Sequence, residues 1–304
     1  MDKKGYGNIA IILGANGLTN TMNKLTISVI PPYLYLTLRY IGIVLISLLV
    51  DKGTSTGKSE STLKMDLKKI RGSKSLLLRV CLALLFSNTG AILYYQVFKY
   101  LPVSLISVLD NGVQLLVVSV LGVIIFKDKK TWFSWVMTGT TIGGLYLVVM
   151  GGKGILEVSF FGVTLLLINS IMVSMDTVIT TTIVKEISAT TVTTLRMFVS
   201  TFVMLAVSLI IGEKILDTLT NMTPYMVGLL VYSVVVGYIV KNMVTHSFKT
   251  IGASKTTLIL SFIPVLSTII AMFVFKEYLS VLQWVGVVVT VVSIVTVNRL
   301  SNSK

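Results

Sequence analysis

The chain has 304 residues, of which 54% are hydrophobic and only 12% are charged, and its mean hydropathy is +0.89. Soluble domains carry about 25% charged residues, so these figures exclude an ordinary soluble domain and indicate an integral membrane protein. The net charge of +14 raises nucleic-acid binding as an alternative, and the distribution of the charges argues against it.

Ten segments of the sequence are long and apolar enough to cross a bilayer. A spanning helix needs roughly 20 apolar residues. The candidate spans cover approximately residues 7–29, 33–50, 76–98, 103–126, 132–150, 160–184, 189–212, 225–248, 255–275 and 279–298. The ten-residue alternation of an outer-membrane barrel is absent from the sequence. We therefore predict an all-α integral membrane protein with ten transmembrane helices.

Lysine and arginine are distributed unequally between the two sides of this topology. If the N-terminus is cytoplasmic, 18 of the 26 basic residues lie on the cytoplasmic side, five on the other side and three within spans. This bias is the positive-inside pattern, and it places both termini in the cytoplasm of a multi-pass plasma-membrane protein. The basic charge is then a topology signal with affinity for the lipid bilayer, not a nucleic-acid site. Cys81, in the third span, is expected to be a small buried side chain.

Landmarks of the first half recur in the second half in the same order. Thr37-Leu38-Arg39 opens span two, and Thr194-Leu195-Arg196 opens span seven, 157 residues later. Three further pairs follow at spacings of 150, 149 and 149 residues, namely Phe98-Lys99 with Phe248-Lys249, Phe126-Lys127-Asp128 with Phe275-Lys276-Glu277, and Trp135 with Trp284. This order predicts an internal duplication with repeats at 1–152 and 153–304.

The number of spans in each repeat has a mechanistic consequence. Five is odd, so the second repeat enters the membrane from the opposite face, and the two are inverted-topology repeats. Secondary transporters use this symmetry to alternate between inward-open and outward-open states. Gly151–Gly154 lacks the spacing of a phosphate-binding loop and is interpreted as a hinge between the repeats. The segment 51–79 shows no strong helical period and is expected to be a mobile cytoplasmic linker.

Several short motifs connect the chain with a known group. They are Tyr100-Leu101-Pro102-Val103-Ser104 before span four, Phe262-Ile263-Pro264-Val265 in span nine, Phe275-Lys276-Glu277 at its end, and Gln283-Trp284-Val285-Gly286 opening span ten. With these motifs the sequence resembles the drug/metabolite transporter superfamily, in particular its EamA-type members. The resemblance implies two inverted five-helix repeats and a central cavity lined by spans one, three, four, six, eight and nine. Span four departs from the family pattern, because Asn111-Gly112-Val113-Gln114 replaces the usual proline.

Five ionisable residues lie within the predicted spans: Arg39, Asp110, Asp176, Arg196 and Lys241. A lysine inside a bilayer costs a few kcal/mol, so Lys241 marks a functional site by default. We hypothesise that Lys241 binds an anionic substrate group, with Asp176 as its counter-charge or as a proton-coupling carboxylate. A buried structural ion pair is the alternative. Arg39 and Arg196 lie near helix ends, where they can anchor at the interface or pack.

Neutral polar residues share spans with these charges. They are Asn16 and Asn20 on span one, Asn88, Tyr94 and Tyr95 on span three, Asn111 and Gln114 beside Asp110, Thr180 four residues after Asp176, and Tyr238 three residues before Lys241. Together with Asp110, Asp176 and Lys241 they form the predicted set of substrate-binding residues. For any single residue of this set, polar packing between helices is the alternative. Pro264 is expected to kink span nine. Gly139 and Gly143 have the spacing of a close helix contact, within the chain in preference to a homodimer.

The sequence thus predicts a secondary active transporter that exports a small organic metabolite, such as an amino acid or related zwitterion, by alternating access. Proton coupling is left open. The alternatives are an importer or exchanger of phosphorylated or nucleotide-linked solutes, and a non-transporting membrane scaffold or sensor. The sequence has no Ser-His-Asp set or paired carboxylates, so an enzyme is not predicted, and neither is a metal or a cofactor.

Overall fold

The computed structural model describes residues 3–54, 62–126, 132–150, 159–250, 262–276 and 278–301. All regular secondary structure in these residues is helical. The helices are α1 (Lys3–Ile27), α2 (Pro32–Thr54), α3 (Thr62–Gly72), α4 (Lys74–Val97), α5 (Val103–Phe126), α6 (Trp132–Met150), α7 (Phe160–Ile183), α8 (Ala189–Ile211), α9 (Ile215–Thr220), α10 (Pro224–Thr250), α11 (Ile263–Phe275) and α12 (Val281–Ser301). The predicted all-α fold is therefore confirmed for the described residues.

Five helices in the described part of the chain are long and apolar enough to cross a membrane. They contain Pro32–Val50, Lys74–Val97, Phe160–Ile183, Ala189–Ile211 and Pro224–Val244. Shorter apolar stretches lie in α5, α6, α11 and α12. A helix is described within each predicted span, but residues 255–261 of the ninth lie outside the described residues, and the count of ten spans stays a prediction. The short helices α3 and α9 lie outside the predicted spans.

The chain forms two compact units that do not follow the order of the sequence. The first unit comprises residues 1–21, 89–178 and 251–304, and the second comprises 22–88 and 179–250. Each unit thus combines helices from both halves of the chain. A unit of this kind needs both halves of the sequence before its helices can bury their apolar faces against each other.

In the second unit, α2 packs along α8, and the two helices start at equivalent positions. Pro32 begins α2 and Ala189 begins α8, which is 157 residues later, the same spacing that separates Arg39 from Arg196. Thr37 and Thr194, also 157 residues apart, both donate a hydrogen bond to the carbonyl four residues earlier. The spacing seen in the sequence therefore recurs in local contacts.

The N-terminus of α2 is capped by a carboxylate that follows the C-terminus of α8. Glu213 accepts hydrogen bonds from the backbone N–H groups of Tyr33 (3.1 Å) and Leu34 (2.7 Å) and from Ser208 Oγ (2.7 Å). The first N–H groups of a helix lack partners within the helix, and negative charge is favourable there. Since the end of α8 meets the start of α2, the two helices run antiparallel.

The N-terminus of α8 is capped in the corresponding way by α3, which follows α2. Asp66 Oδ2 accepts from the backbone N–H of Ser188 (3.0 Å) and from Thr191 Oγ1 (2.8 Å). Ser188 also caps the helix with its own hydroxyl, which accepts from Thr191 N at 3.1 Å. Each helix of the antiparallel pair therefore receives a carboxylate from the segment that follows the other.

The prediction of a linker over 51–79 is wrong for the described residues of that segment, 51–54 and 62–79. α2 continues to Thr54, α3 occupies Thr62–Gly72, and α4 begins at Lys74. The inner face of α3 holds buried Asp66 and Ile70. Ile70 joins a buried apolar cluster from α4, α7, α8 and the α7–α8 turn, comprising Leu76, Val80, Ala83, Ile183, Val184, Ile187 and Val192. With only two inward positions in eleven residues, the apolar period of α3 is too sparse to be recognised in the sequence.

In the first unit, α6 and α12 approach closely through Gly144 and Gly286. A Cβ on Gly286 would lie 2.7 Å from the carbonyl oxygen of Gly144, so the two backbones touch. The close contact predicted at Gly139 and Gly143 is wrong, because both are exposed and an added Cβ meets no described atom within 4 Å. The helix face that packs contains Gly144, the residue next to the predicted Gly143. The homodimer stays a prediction.

Apolar side chains are exposed along the spanning helices of the second unit. On α4, Leu78 and Leu85 are each 60% exposed, and Cys81 lies between them on the same face and is exposed as well. Apolar surface of this extent along a span is the surface that lipid covers. The prediction that Cys81 is buried is wrong because the residue faces outward with these leucines.

Two predicted backbone features fall at or beyond the edges of the described residues. Pro264 is the second residue of α11, in the first helical turn, where a proline removes no helical hydrogen bond. The kink expected there would involve residues 251–261, which lie outside the described residues, as does the hinge at Gly151–Gly154. Span four, which lacks the family's proline, is a continuous helix from Val103 to Phe126.

Candidate substrate site

Asp110 is the centre of the polar cluster in the first unit. It is the eighth residue of α5, about 10 Å along the helix axis at 1.5 Å per residue. Its Oδ1 accepts hydrogen bonds from Asn169 Nδ2 (2.9 Å) and from Ser170 Oγ (2.8 Å), both on α7. Gln114 lies one turn further along α5, four residues after Asp110. Both donors to the carboxyl group are neutral.

One buried acceptor beside Asp110 lacks a donor. The Oδ1 atom of Asn169 is buried and has no hydrogen-bond partner among the described residues. Asn169 is 1% exposed, and Gly90 on α4 packs against the same oxygen without offering a donor side chain. A buried polar atom that lacks a partner costs free energy, so a donor that arrives from outside the protein would be bound favourably here.

A second chain of hydrogen bonds lies in the same unit and joins α1, α4 and α5. Tyr94 OH donates to Asn20 Oδ1 (2.7 Å), and Asn20 Nδ2 donates to Ser107 Oγ (2.7 Å). Asn111 Nδ2 donates to the backbone carbonyl of Ser107 (2.8 Å). Ser107 lies one turn before Asn111 and three residues before Asp110. The two networks therefore meet on one stretch of α5.

The structure places the other predicted residues of the first unit as follows. Tyr95 is buried and stacks edge-to-face on Tyr94, with ring centroids 5.7 Å apart. Asp176 is buried on α7, 5% exposed. Asn16 lies on α1, and its side chain lies outside the described residues. The first unit thus brings together Asn20, Tyr94, Tyr95, Asp110, Asn111 and Gln114, on helices α1, α4 and α5.

In the second unit the two arginines make equivalent contacts. Arg39 donates from Nη1 to Asn23 Oδ1 on α1, and Arg196 donates from Nη1 to Thr180 Oγ1 on α7. Each contact measures 3.4 Å and joins residues 16 positions apart. Arg39 also donates from Nε to the Ser233 carbonyl at 3.2 Å. Protein groups thus hold both guanidinium groups, which supports packing among the roles considered for them.

The remaining predicted residues lie in the second unit. Asn88 is buried and donates to the Leu84 carbonyl at 2.8 Å. Tyr238 is half-buried on α10, and Lys241 is exposed. Lys241 follows buried Gly237 by four residues and so projects from the same side of α10. Asp176 and Lys241 belong to different units, and their pairing stays a prediction.

Three residues of the Asp110 region are not among the residues predicted from the sequence: Ser107, Asn169 and Ser170. A serine or asparagine in an apolar span is a weak signal, because Ser and Thr can bond their own helix. The available signal was helical spacing. Asn169 precedes Asp176 by seven residues and Thr180 by eleven, so the three share one face of α7.

The comparisons with known proteins agree with this fold. The model of the EamA-like transporter family matches the chain twice, over residues 5–150 and 160–299. Among solved structures, 26 chains match. One of them, described as "Crystal structure of protein", has a TM-score of 0.63 at 15% sequence identity and covers 96% of this chain and 95% of that chain. That identity supports a shared fold alone. No curated protein matches the chain. The family match confirms the resemblance predicted from the sequence.

Proposed function

We propose that this chain, which belongs to the EamA-like transporter family, is a secondary active transporter that exports a small organic metabolite by alternating access. The observation that carries the substrate proposal is Asp110, a carboxyl group within an apolar helix that accepts hydrogen bonds from neutral Asn169 and Ser170. Carboxylates inside membrane spans are costly and characteristically serve as substrate or proton sites.

Asp110 suits the amino group of a zwitterion. An ammonium group would bring positive charge to the carboxylate and donors to the unpartnered oxygen of Asn169. The same features suit a proton, which neutralises the carboxyl group when no substrate is bound. Both uses are compatible with exchange of protons for substrate, because the two ligands then compete for one carboxyl group.

Lys241 and Asp176 complete the proposal. Lys241 binds the anionic group of the substrate, and Asp176 is its counter-charge or a second proton-coupling carboxylate. A carboxylate site and an ammonium site in one transporter favour amino acids and related zwitterions. The phosphorylated-solute alternative draws on Lys241 together with Arg39 and Arg196. Both arginines already contact protein groups, namely Asn23, Ser233 and Thr180, so these contacts favour the zwitterion.

The proposed topology has ten spans, inverted repeats and both termini in the cytoplasm of the plasma membrane. Two features support it: the excess of basic residues on one side, and the caps of α2 and α8, in which Asp66 and Glu213 serve opposite ends of an antiparallel pair. In a Cys81→Ser background, Lys69→Cys and Asp217→Cys should react with an impermeant maleimide from opposite sides of the membrane. Labelling of both from one side contradicts the topology.

The transport proposal is tested with purified protein in sealed vesicles, using a panel of amino acids with and without a pH gradient. We expect Asp110→Asn, Asp176→Asn and Lys241→Met each to reduce transport at least tenfold while the protein still folds and inserts. The matched control is Asp217→Asn, which removes an exposed carboxylate on α9.

Two results decide against the proposal. Transport by a folded Lys241→Met or Asp110→Asn variant at the wild-type rate removes that residue from the site. If no solute of the panel is transported and none raises the thermal stability of the purified protein, the non-transporting scaffold becomes the better explanation.

A further inference from the structure

α3 has one face that packs against the protein and an opposite face that is exposed. Asp66 and Ile70 point inward, where Asp66 caps α8 and Ile70 joins the apolar cluster. Lys64, Lys68 and Arg71 are all exposed, and at spacings of four and three residues they share the opposite face of the helix. Met65 and Leu67 are 51% and 36% exposed and flank this basic face.

The position of α3 along the chain puts it at the membrane surface. Only Ser73 separates its last residue from Lys74, the first residue of a 24-residue candidate span. Twenty-four helical residues are about 36 Å long, which exceeds the roughly 30 Å of the hydrocarbon core. Because α4 is longer than the core and begins with charged Lys74, we place its first turn at the level of the lipid headgroups, together with α3, which ends two residues earlier.

From these observations we infer that the outer face of α3, formed by Lys64, Lys68 and Arg71, binds the headgroups of anionic phospholipids in the adjoining leaflet. The basic side chains are complementary in charge to the anionic headgroups, and the apolar side chains beside them suit the adjoining acyl chains. Met65 and Leu67 reach the boundary of the acyl region. The same helix fixes the start of α8 through Asp66, so lipid bound outside would stabilise the cap inside.

The probe is a short-chain phosphatidylglycerol titrated into the full-length protein in neutral detergent, with the phosphatidylcholine of equal chain length as the uncharged reference. Each basic residue near an anionic surface contributes on the order of fivefold in affinity. The triple variant Lys64→Gln, Lys68→Gln, Arg71→Gln should therefore bind phosphatidylglycerol on the order of 100-fold more weakly. The matched control, Lys99→Gln, Lys214→Gln, Lys276→Gln, makes the same charge change at the opposite predicted side and should bind as the wild type does.

Salt provides a test that needs no variant. Raising NaCl from about 0.05 to about 0.5 M should abolish the preference for phosphatidylglycerol in the wild type, because charges at the surface are screened. The inference is overturned if the α3 triple variant retains phosphatidylglycerol binding, if phosphatidylcholine binds equally well, or if inorganic phosphate competes at the same concentration and thus indicates a free-anion site. None of these outcomes depends on transport, so they are independent of the transport proposal.

Discussion

Replacing Glu213 by alanine should destabilise the protein far more than removing an exposed carboxylate such as that of Asp217. Glu213 accepts from two backbone N–H groups of α2 and from one hydroxyl. Tyr33 and Leu34, which supply the N–H groups, are only 1% and 2% exposed. Water therefore has little access to these donors once the carboxylate is gone.

The size of the effect follows from these three bonds. A hydrogen bond to a charged group contributes about 1.5–3 kcal/mol, and loss of a helix N-cap costs about 0.5–2 kcal/mol. These terms describe overlapping contacts and are not additive, so we expect Glu213→Ala to cost about 2–4 kcal/mol. Glu213→Gln keeps an acceptor oxygen and loses the charge at the helix terminus, which should cost about 1 kcal/mol.

The assay is thermal unfolding of the purified protein in one detergent, followed by intrinsic fluorescence. Asp217→Ala is the control, since Asp217 is exposed on α9 and its carboxylate accepts from Asn221 at 3.1 Å. We expect the unfolding midpoint to fall in the order Glu213→Ala, Glu213→Gln, Asp217→Ala, with the last close to wild type. An equal midpoint for Glu213→Ala and Asp217→Ala would refute the assignment of Glu213 as the cap of α2.

Three further predictions use positions where the structure offers a contrast. Gly144→Ala should lower the stability of the protein by about 1–3 kcal/mol, because the added Cβ would lie 2.8 Å from the Thr290 backbone nitrogen. Gly139→Ala should leave the stability nearly unchanged, and thermal unfolding of the two variants tests the difference. Gly237→Ala should destabilise the protein by a similar amount, because the added Cβ would lie 2.8 Å from the Arg39 guanidinium and displace it. This cost should largely disappear when Arg39 is also replaced by methionine. In membranes, Cys81 should react with an apolar maleimide and not with a charged one, because it lies between exposed Leu78 and Leu85. Equal reaction with both reagents would contradict a lipid-facing position.

The spans were predictable because each depends on a signal that is local in the sequence. A run of roughly 20 apolar residues produces a spanning helix whatever surrounds it, and α2, α4, α7, α8 and α10 were predicted to within a few residues of their ends. Faces of helices were less predictable. An apolar span differs little in polarity between its sides. The sequence pattern therefore indicates Gly139 and Gly143 where Gly144 makes the contact, and it indicates an inward Cys81 where the residue is exposed.

Part of the candidate site was predictable in the same way. Asp110 stood out as a charge in an apolar helix, whereas its partners Asn169 and Ser170 did not, because a neutral polar residue in a span is common and inexpensive. The pairing of Asp110 with residues about 60 positions later depends on how α5 meets α7. No local pattern contains that information.

The two caps show why repeat comparison by position finds some symmetric features and misses others. Arg39 and Arg196 are 157 residues apart and were found, since their spacing equals that of α2 and α8. Asp66 and Glu213 do the same physical task, yet they are 147 residues apart, and Asp66 belongs to an eleven-residue helix whereas Glu213 lies in a turn before a six-residue one. The shared requirement is a carboxylate near the first N–H groups of the antiparallel neighbour, and any connection that brings an acid to that point meets it. The two halves therefore share a negative charge at a helix N-terminus, that of α2 in one case and that of α8 in the other. A search for such caps should therefore look for an acid at variable distance after the second span of each half.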